Sequence, residues 1–285
     1  MADAGHYDID TLLEGVVTLP SMPETLARVT ELLDDPNCAL SDVAQAISVD
    51  PSIALKTLRL VNSAYYGIGQ EIATIEHAVV LLGVRVIRNL VLTATVLDTM
   101  KTSADRFLRH CVGCAVAMRT FAEHSPLKDY VSTPEEAFVF GLLHDIGKVI
   151  FEEYLPEEYA RVPELCHTRG LPWYQAERLA IGVDHAQLGG RLAERWKLTQ
   201  SVVGAIRGHH DLENCGENER VLAATLTVAD FACAQSGLPS HENQQFDIPE
   251  LVWHTSAIDN ENLLKALPAF LDRHHAIDDL IQMSI

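Results

Sequence analysis

The chain has 285 residues and is strongly acidic, with 40 Asp and Glu against 21 Lys and Arg and a formal net charge of -19 at pH 7. This excess of carboxylates repels a phosphate backbone, so we expect no broad binding to DNA or RNA. The longest uncharged apolar stretches, 78–84 and 89–97, are far shorter than the ~20 residues of a bilayer span. The N-terminus lacks a secretory signal pattern and the six cysteines lack framework spacing, so we expect a cytoplasmic protein without a membrane segment.

The first hundred residues predict helices and no strand, because their apolar residues recur at helical spacing. Ser21 and Glu24 form a capping-box pattern, and Asp50 precedes Pro51 at a first helical position. We expect Gly67, in the left-handed conformation, to end the helix that Asp50 opens. The first predicted helix opens at the Ser21 capping box, with Pro23 in its first turn, and runs through Leu33. The next is capped by Ser41 and ends before the break at 48–51, and the one that Asp50 opens ends near Tyr66. A further helix begins at Thr74 and is broken by Gly83, and the helix that follows runs through about Met100.

Two features of this half have two interpretations each. Residues 40–62 have the rhythm of a helix-turn-helix, but the second helix offers only Lys56 and Arg59 as basic groups, so we favour a plain helix hairpin over a DNA contact. The polar and aromatic cluster at 62–66 is either a corner packed against the second half or a surface for a partner. We favour the packed corner.

The rest of the chain also predicts helices, so the expected fold class is all-α. We divide it into an N-terminal helical bundle, residues 1–102, and a multi-helix domain, residues 103–285, with a seam at 101–105. Helices are expected at 105–123, 135–153, 156–168, 172–181, 184–196, 199–210, 218–235 and 260–283. Cys111 and Cys114 lie in the first of these and lack a second cysteine pair, so we interpret them as two small buried helix residues.

An adjacent histidine and aspartate, His144 and Asp145, end an apolar run, and Lys148 follows one turn later. Imidazole nitrogen with carboxylate oxygen suits zinc, iron, manganese or nickel better than calcium. A helical bundle can turn further candidate ligands toward the same cavity, namely His110, His185, His209, His210 and Asp230. Each alone is more typical of a satisfied histidine or a helix cap, but the combination favours a metal site.

In this order the residues resemble the HD superfamily of metal-dependent phosphohydrolases. Its signature of His, His-Asp and a distant Asp is matched by His110, His144-Asp145 and Asp230. The branch that hydrolyses cyclic dinucleotides adds a Lys, a further His and a His-His pair, and these are matched by Lys148, His185 and His209-His210. Its Gly-Tyr-Pro motif does not follow His210, so part of the expected dinucleotide pocket is missing or replaced.

A longer resemblance runs through both halves. Leu19-Pro20-Ser21-Met22-Pro23 and the segments 47–66, 75–84, 141–148, 185–189, 196–198 and 206–210 look like the HDOD (HD-related output domain) family. This resemblance covers nearly all of residues 15–235. The family is bacterial and associated with signalling. Many members have lost metal ligands and are thought to act as output or scaffold modules, which implies a signalling protein as partner.

These resemblances imply one or two divalent transition-metal ions. One ion would take His110, His144 and Asp230, and the other would take His185, His209 and His210. Asp145 would be shared, and the candidate catalytic residues are Asp145 and Lys148. Lys148 either clamps a phosphate or is a solvated lysine that offsets a helix dipole.

Three functions remain open at this point. The first, which we favour because of the missing motif, is a metal-binding signalling output module. The second is an active phosphohydrolase that acts on a nucleotide or cyclic dinucleotide. The third is a helical regulator without metal.

Overall fold

The computed structural model describes residue 9 and residues 24–35, 37–100, 103–241 and 248–284. Within these ranges the protein consists of α-helices and short 3-10 turns without a strand, which confirms the all-α fold class. No described helix is both long enough and apolar enough to cross a bilayer. The helices are α1 (Glu24–Leu33), α2 (Leu40–Ser48), α3 (Pro51–Val61), α4 (Ile75–Leu82), α5 (Val84–Met100), α6 (Asp105–His124), α7 (Pro134–Leu143), α8 (Ile146–Tyr154), α9 (Pro156–Tyr159), α10 (Val162–Arg169), α11 (Trp173–Ala180), α12 (His185–Arg195), α13 (Gln200–Gly208), α14 (Glu217–Gln235), α15 (Glu250–Thr255), α16 (Asn260–Asp272) and α17 (His274–Ser284).

Capping residues explain several helix starts. The Asp50 carboxylate accepts hydrogen bonds from the backbone N–H groups of Ser52 and Ile53, with Pro51 at the first position of α3, as predicted. Asp184 caps α12 in the same way through the N–H of Gln187. The predicted capping box at the start of α1 needs Ser21, which lies outside the described residues.

The cluster at residues 62–66 is a packed corner, as we favoured. The Asn62 side chain bonds both the carbonyl and the N–H of Ile72, at 2.8 and 2.7 Å, and so fastens the loop that follows α3. The Tyr65 ring is buried against Phe138 of α7, with ring centroids 5.9 Å apart, and lies under the guanidinium of Arg119 on α6. The corner therefore joins the N-terminal helices to α6 and α7.

Helix α6 is the centre of the second half. Nearly every side chain from Phe107 to Ala122 is buried, because α7, α14, α16 and α17 pack around this helix. Helix α17 also packs against α3 and α5, so the end of the chain returns to the N-terminal helices. The division at residue 102 stays a prediction.

Several predicted helix boundaries are wrong, each for a local reason. Helix α3 ends at Val61 rather than near Tyr66, because the Asn62 side chain turns the chain toward Ile72; Gly67 does adopt a left-handed φ of 61°. The segment 156–168 breaks between α9 and α10, because Pro163, in the first turn of α10, lacks the backbone N–H that would continue one helix from α9.

Two further boundaries differ toward the end of the chain. The segment 260–283 breaks at Arg273, whose backbone leaves the helical region with φ -90° and ψ 0°. Helix α15, at Glu250–Thr255, was not predicted.

Candidate metal centre

The candidate ligands come from widely separated parts of the chain. His110 is on α6, His144 and Asp145 form the junction between α7 and α8, and Asp230 is on α14. His185 is the first residue of α12, and His209 and His210 follow α13. All are buried except His210, which is partly buried. The structure thus places all seven around one cavity, whereas their role as ligands stays a prediction.

The junction of α7 and α8 interrupts the predicted helix 135–153. At Asp145 the backbone leaves the α-helical region, with φ -100° and ψ 8°, a conformation often found at active-site residues. Two glycines allow the tight packing around this junction. A Cβ at Gly141 would overlap the backbone of Cys114 on α6, and one at Gly147 would overlap the carbonyl of His185 on α12. The dyad is therefore held close to both neighbouring helices.

Hydrogen bonds at the outer nitrogen orient the buried histidines. The Nδ1 atoms of His110, His144 and His209 lie 2.8, 2.8 and 2.6 Å from the backbone carbonyls of Leu238, Gly141 and Ile206. Because a carbonyl can only accept, Nδ1 of each ring carries a proton, and Nε2 is the atom that faces the other candidate ligands. The Nδ1 atom of His185 is held in the same way by the buried carboxylate of Glu177, at 2.5 Å.

The inward-facing atoms form two adjacent groups. In the first, the Nε2 atom of His110 lies 3.2 Å from that of His144 and 3.3 Å from Oδ1 of Asp230. In the second, donor atoms of His185, His209 and His210 lie within 4.8 Å of one another. Asp145 lies between the groups, with Oδ2 at 3.4 Å from Nε2 of His144 and Oδ1 at 3.1 Å from Nε2 of His185.

These residues fit a divalent transition metal. The Nε2 atom of His209 and Oδ1 of Asp230 are buried without a hydrogen-bond partner, an arrangement that costs free energy unless something else satisfies the atoms. The Nε2 atoms of His110 and His144, 3.2 Å apart, need either a proton or a metal ion between them. Mixed nitrogen and oxygen donors match zinc, iron, manganese or nickel rather than calcium.

Burial and charge divide the histidines into two classes. Burial lowers the pKa of His144 and of His209 to about 3, so both stay neutral and able to donate a lone pair. Burial also opposes a charge on His110, but Cys233 and Asp230 outweigh it and raise its pKa to about 9. Glu177 and Asp145 likewise raise the pKa of His185 to about 9 against the effect of burial. The cavity therefore attracts positive charge.

Lys148 is buried and points inward. Its ammonium donates to Oδ2 of Asp145 at 2.6 Å and lies 3.4 Å from Oγ of Ser240. The interpretation as a solvated lysine is therefore wrong, because the Lys148 side chain is only 8% exposed. Its use as a phosphate clamp stays a prediction.

Comparison with known families decides the identity of this architecture. The HDOD domain family matches residues 19–212, a range that includes six of the seven candidate ligands and the whole corner at residues 62–66. The chain belongs to the HDOD family. The remaining candidate ligand of this HDOD protein, Asp230, lies beyond the matched range.

Solved structures and a sequence relative resemble this chain. A crystal structure of an HDOD domain protein of unknown function from Geobacter sulfurreducens is 26% identical, with a TM-score of 0.77, over 95% of this chain and 96% of that one. A proposed phosphohydrolase from Shewanella amazonensis is 24% identical, with a TM-score of 0.74, over 96% and 98% of the two chains, and shares the fold. An uncharacterized protein of Treponema pallidum is 26% identical over 78% of this chain, which spans only 43% of that relative.

The segment after α14 lies against the candidate metal centre of this HDOD protein. The Leu238 carbonyl accepts from His110, Ser240 lies against Lys148, and the His241 ring stacks on Trp173 with centroids 3.8 Å apart. Burial, together with the positive charge of Lys148, lowers the pKa of His241 to about 3. We call residues 238–241 the cover segment.

Three parts of the candidate site were not predicted from the sequence, namely Cys114, Glu177 and the cover segment. We interpret Cys114 from the sequence only as a small buried residue. Its spacing of one helical turn from His110 does indicate that both side chains lie on the same face of the helix. Glu177, which orients His185, and the cover segment carried no signal, because their contacts depend on how separate helices pack.

Two arginines that lie near candidate ligands in the sequence, Arg178 and Arg207, are already paired with carboxylates. Arg178 donates to Asp184 at 2.6 Å, and Arg207 donates to Glu194 at 2.5 Å. Each guanidinium is thus paired with a carboxylate of the protein itself, which weakens its case as a phosphate-binding group.

Proposed function

We propose that this HDOD protein is a signal-transduction output module that binds a divalent transition metal in its HD-like centre and acts through contact with a protein partner. The observation that supports it best is a complete donor set beneath a closed surface. The His110 side chain is 0% and the Asp145 side chain 2% exposed. Such a centre is built to hold an ion rather than to admit a dinucleotide.

The groups that would bind a substrate support the same proposal. Phosphoester hydrolysis requires the scissile phosphate to be held in line, and positioning can be worth ~7–11 kcal/mol of barrier. The ammonium of Lys148 is engaged by Asp145, and Arg178 and Arg207 are paired with carboxylates. No basic side chain among these is free to position a phosphate.

The second candidate function is a phosphohydrolase acting on a nucleotide or cyclic dinucleotide. It is favoured by the position of Asp145, whose two oxygens face the two groups of donors. A bound metal pair would supply Lewis-acid activation of water and of a phosphoester. Asp145 would hold the two sites together, and Lys148 would have to leave Asp145 in order to contact a phosphate.

Two measurements test the proposal. Elemental analysis of protein purified without chelator should find at least one transition-metal ion per chain, lost in His144→Ala and in Asp145→Ala. The iron- or manganese-loaded protein should then show weak or no turnover of a panel of cyclic dinucleotides and nucleotide monophosphates. Robust turnover that is abolished in Asp145→Ala would establish the hydrolase instead, and protein without stoichiometric metal would favour the regulator that needs none.

A further inference from the structure

Cys114 faces the first group of donors. It lies four residues after His110 on α6, so the two side chains project from the same face of the helix. Its Sγ atom is 3.7 Å from Nε2 of His110, and the residue is fully buried. The donor atoms of His110, Cys114, His144 and Asp230 all lie within 4.8 Å of one another.

The three separations from Nε2 of His110 in this group match the edges of a tetrahedron around a zinc-sized ion, and the other donor atoms lie within 4.8 Å of one another. Bonds of about 2.0–2.1 Å to nitrogen or oxygen and about 2.3 Å to sulfur require roughly 3.4 Å between two light ligands and roughly 3.6 Å between nitrogen and sulfur. From Nε2 of His110 the distances are 3.2 Å to His144, 3.3 Å to Asp230 and 3.7 Å to Cys114. All three agree without movement of the helices.

Asp145 also borders this group, with Oδ2 at 3.6 Å from Nε2 of His110 and 3.4 Å from Nε2 of His144, but both of its oxygens have other partners. Its Oδ2 atom already accepts from the Lys148 ammonium, and its Oδ1 atom faces His185 in the other group. By contrast, Oδ1 of Asp230 is buried without a hydrogen-bond partner and remains available. The sulfur of Cys114 is thus the donor that completes the group.

We infer that Cys114 binds the first metal ion as a thiolate, in a set of two histidines, one aspartate and one cysteine. The inference rests on the proposed function, because it requires that a metal binds. On binding, the metal–sulfur bond forms as the thiol proton is released to solvent. A thiolate ligand selects zinc or iron over manganese and magnesium.

Cobalt(II) provides the decisive test, because a thiolate bound to cobalt(II) gives a near-ultraviolet charge-transfer band that histidine and carboxylate ligands do not give. The full chain is loaded with cobalt(II), and bound cobalt is counted by elemental analysis. We expect this band in the native protein and its loss in Cys114→Ser. It should persist in Cys111→Ser, a fully buried control on the same helix.

The outcomes separate this inference from the proposed function. Bound cobalt without the band, or a band that survives in Cys114→Ser, overturns the role of Cys114 and leaves metal binding intact. Absence of bound cobalt and of bound zinc overturns both. If Cys114→Ser does not fold, X-ray absorption of the zinc-loaded native protein decides: a sulfur neighbour at about 2.3 Å supports the inference, and only light neighbours contradict it.

Discussion

At the scale of single residues, the candidate metal centre depends on groups outside the set of candidate ligands. Main-chain carbonyls hold three imidazoles, but His185 depends on the side chain of Glu177. A buried carboxylate in this position fixes the orientation of the ring and makes Nε2 a stronger donor. Glu177 is therefore a positioning residue whose loss should be felt by the metal.

Replacing Glu177 by Gln should weaken metal binding by about 10–100-fold, because loss of such an outer partner has that typical effect. A competition titration with a chromophoric chelator measures the affinity. Glu135→Gln is the matched control, since Glu135 is also buried but pairs with Arg119 in the corner. Equal affinities in native protein and Glu177→Gln would contradict the role given to Glu177.

The cover segment should respond to acid through His241. Its folded-state pKa of about 3 lies below the usual value, so the folded state prefers the neutral ring. The stabilisation is present above about pH 6.5 and is lost as the pH falls toward 3, with a loss of about 1–2 kcal/mol between pH 7 and 5.

The comparison that isolates this effect uses His241→Phe, which keeps a ring against Trp173 but does not titrate. Urea unfolding at pH 7 and pH 5 gives the free energy of unfolding of both proteins. The native protein should lose more stability than the variant over this interval. If both lose the same amount, the acid response comes from other groups.

At the scale of helices, element types were predictable and several boundaries were not. Apolar spacing and caps such as Asp50 and Asp184 are local, so they could be read from the sequence. The break at Asp145 could not, because the apolar pattern continues across it, and the backbone there is set by packing against α6 and α12. Likewise, the sequence motif located the seven candidate ligands. It could not locate Glu177, because the contact of Glu177 with His185 depends on how α11 packs against α12.

Gly147→Ala tests whether close approach of α8 and α12 holds the centre together. The added methyl group would overlap the His185 carbonyl, a backbone atom that cannot move aside, so we expect a loss of about 1–3 kcal/mol in stability. Thermal or urea unfolding measures it. Gly69→Ala, where no atom lies within 4 Å, should be close to neutral. Full stability of Gly147→Ala would show that the two helices can separate freely.

At the scale of the whole molecule, the two halves are joined by packing contacts as well as by the chain segment that connects them. Tyr65 packs on Phe138 and under Arg119, and α17 packs against α3, α5 and α6. The sequence predicted the corner, because its polar and aromatic residues follow a helix. It did not predict the return of α17, since amphipathic spacing shows that a helix has a partner but not which one.

We therefore expect the protein to unfold as one unit. All three Trp residues, Trp173, Trp196 and Trp253, lie in the second half, so their fluorescence reports that half, whereas circular dichroism reports every helix. The two urea transitions should coincide. Ile277→Ala on α17, which removes a buried side chain, should shift both together by about 2–4 kcal/mol.

Leu264→Ala is the control for this experiment, because Leu264 is 71% exposed and its truncation should change little. Separate transitions by the two probes would mean that the halves are independent domains. That result would support a domain boundary at residue 102 from unfolding data as well as from the sequence.

The return of α17 also has a consequence for biosynthesis. The faces of α3 and α5 that α17 covers leave the ribosome long before residues 274–284 are made, at roughly 5–20 residues per second. During translation the N-terminal helices are therefore synthesised while part of their apolar surface is still uncovered. A nascent chain stalled before α17 should accordingly be a substrate for chaperones, and synthesis of α17 is the step that covers these faces.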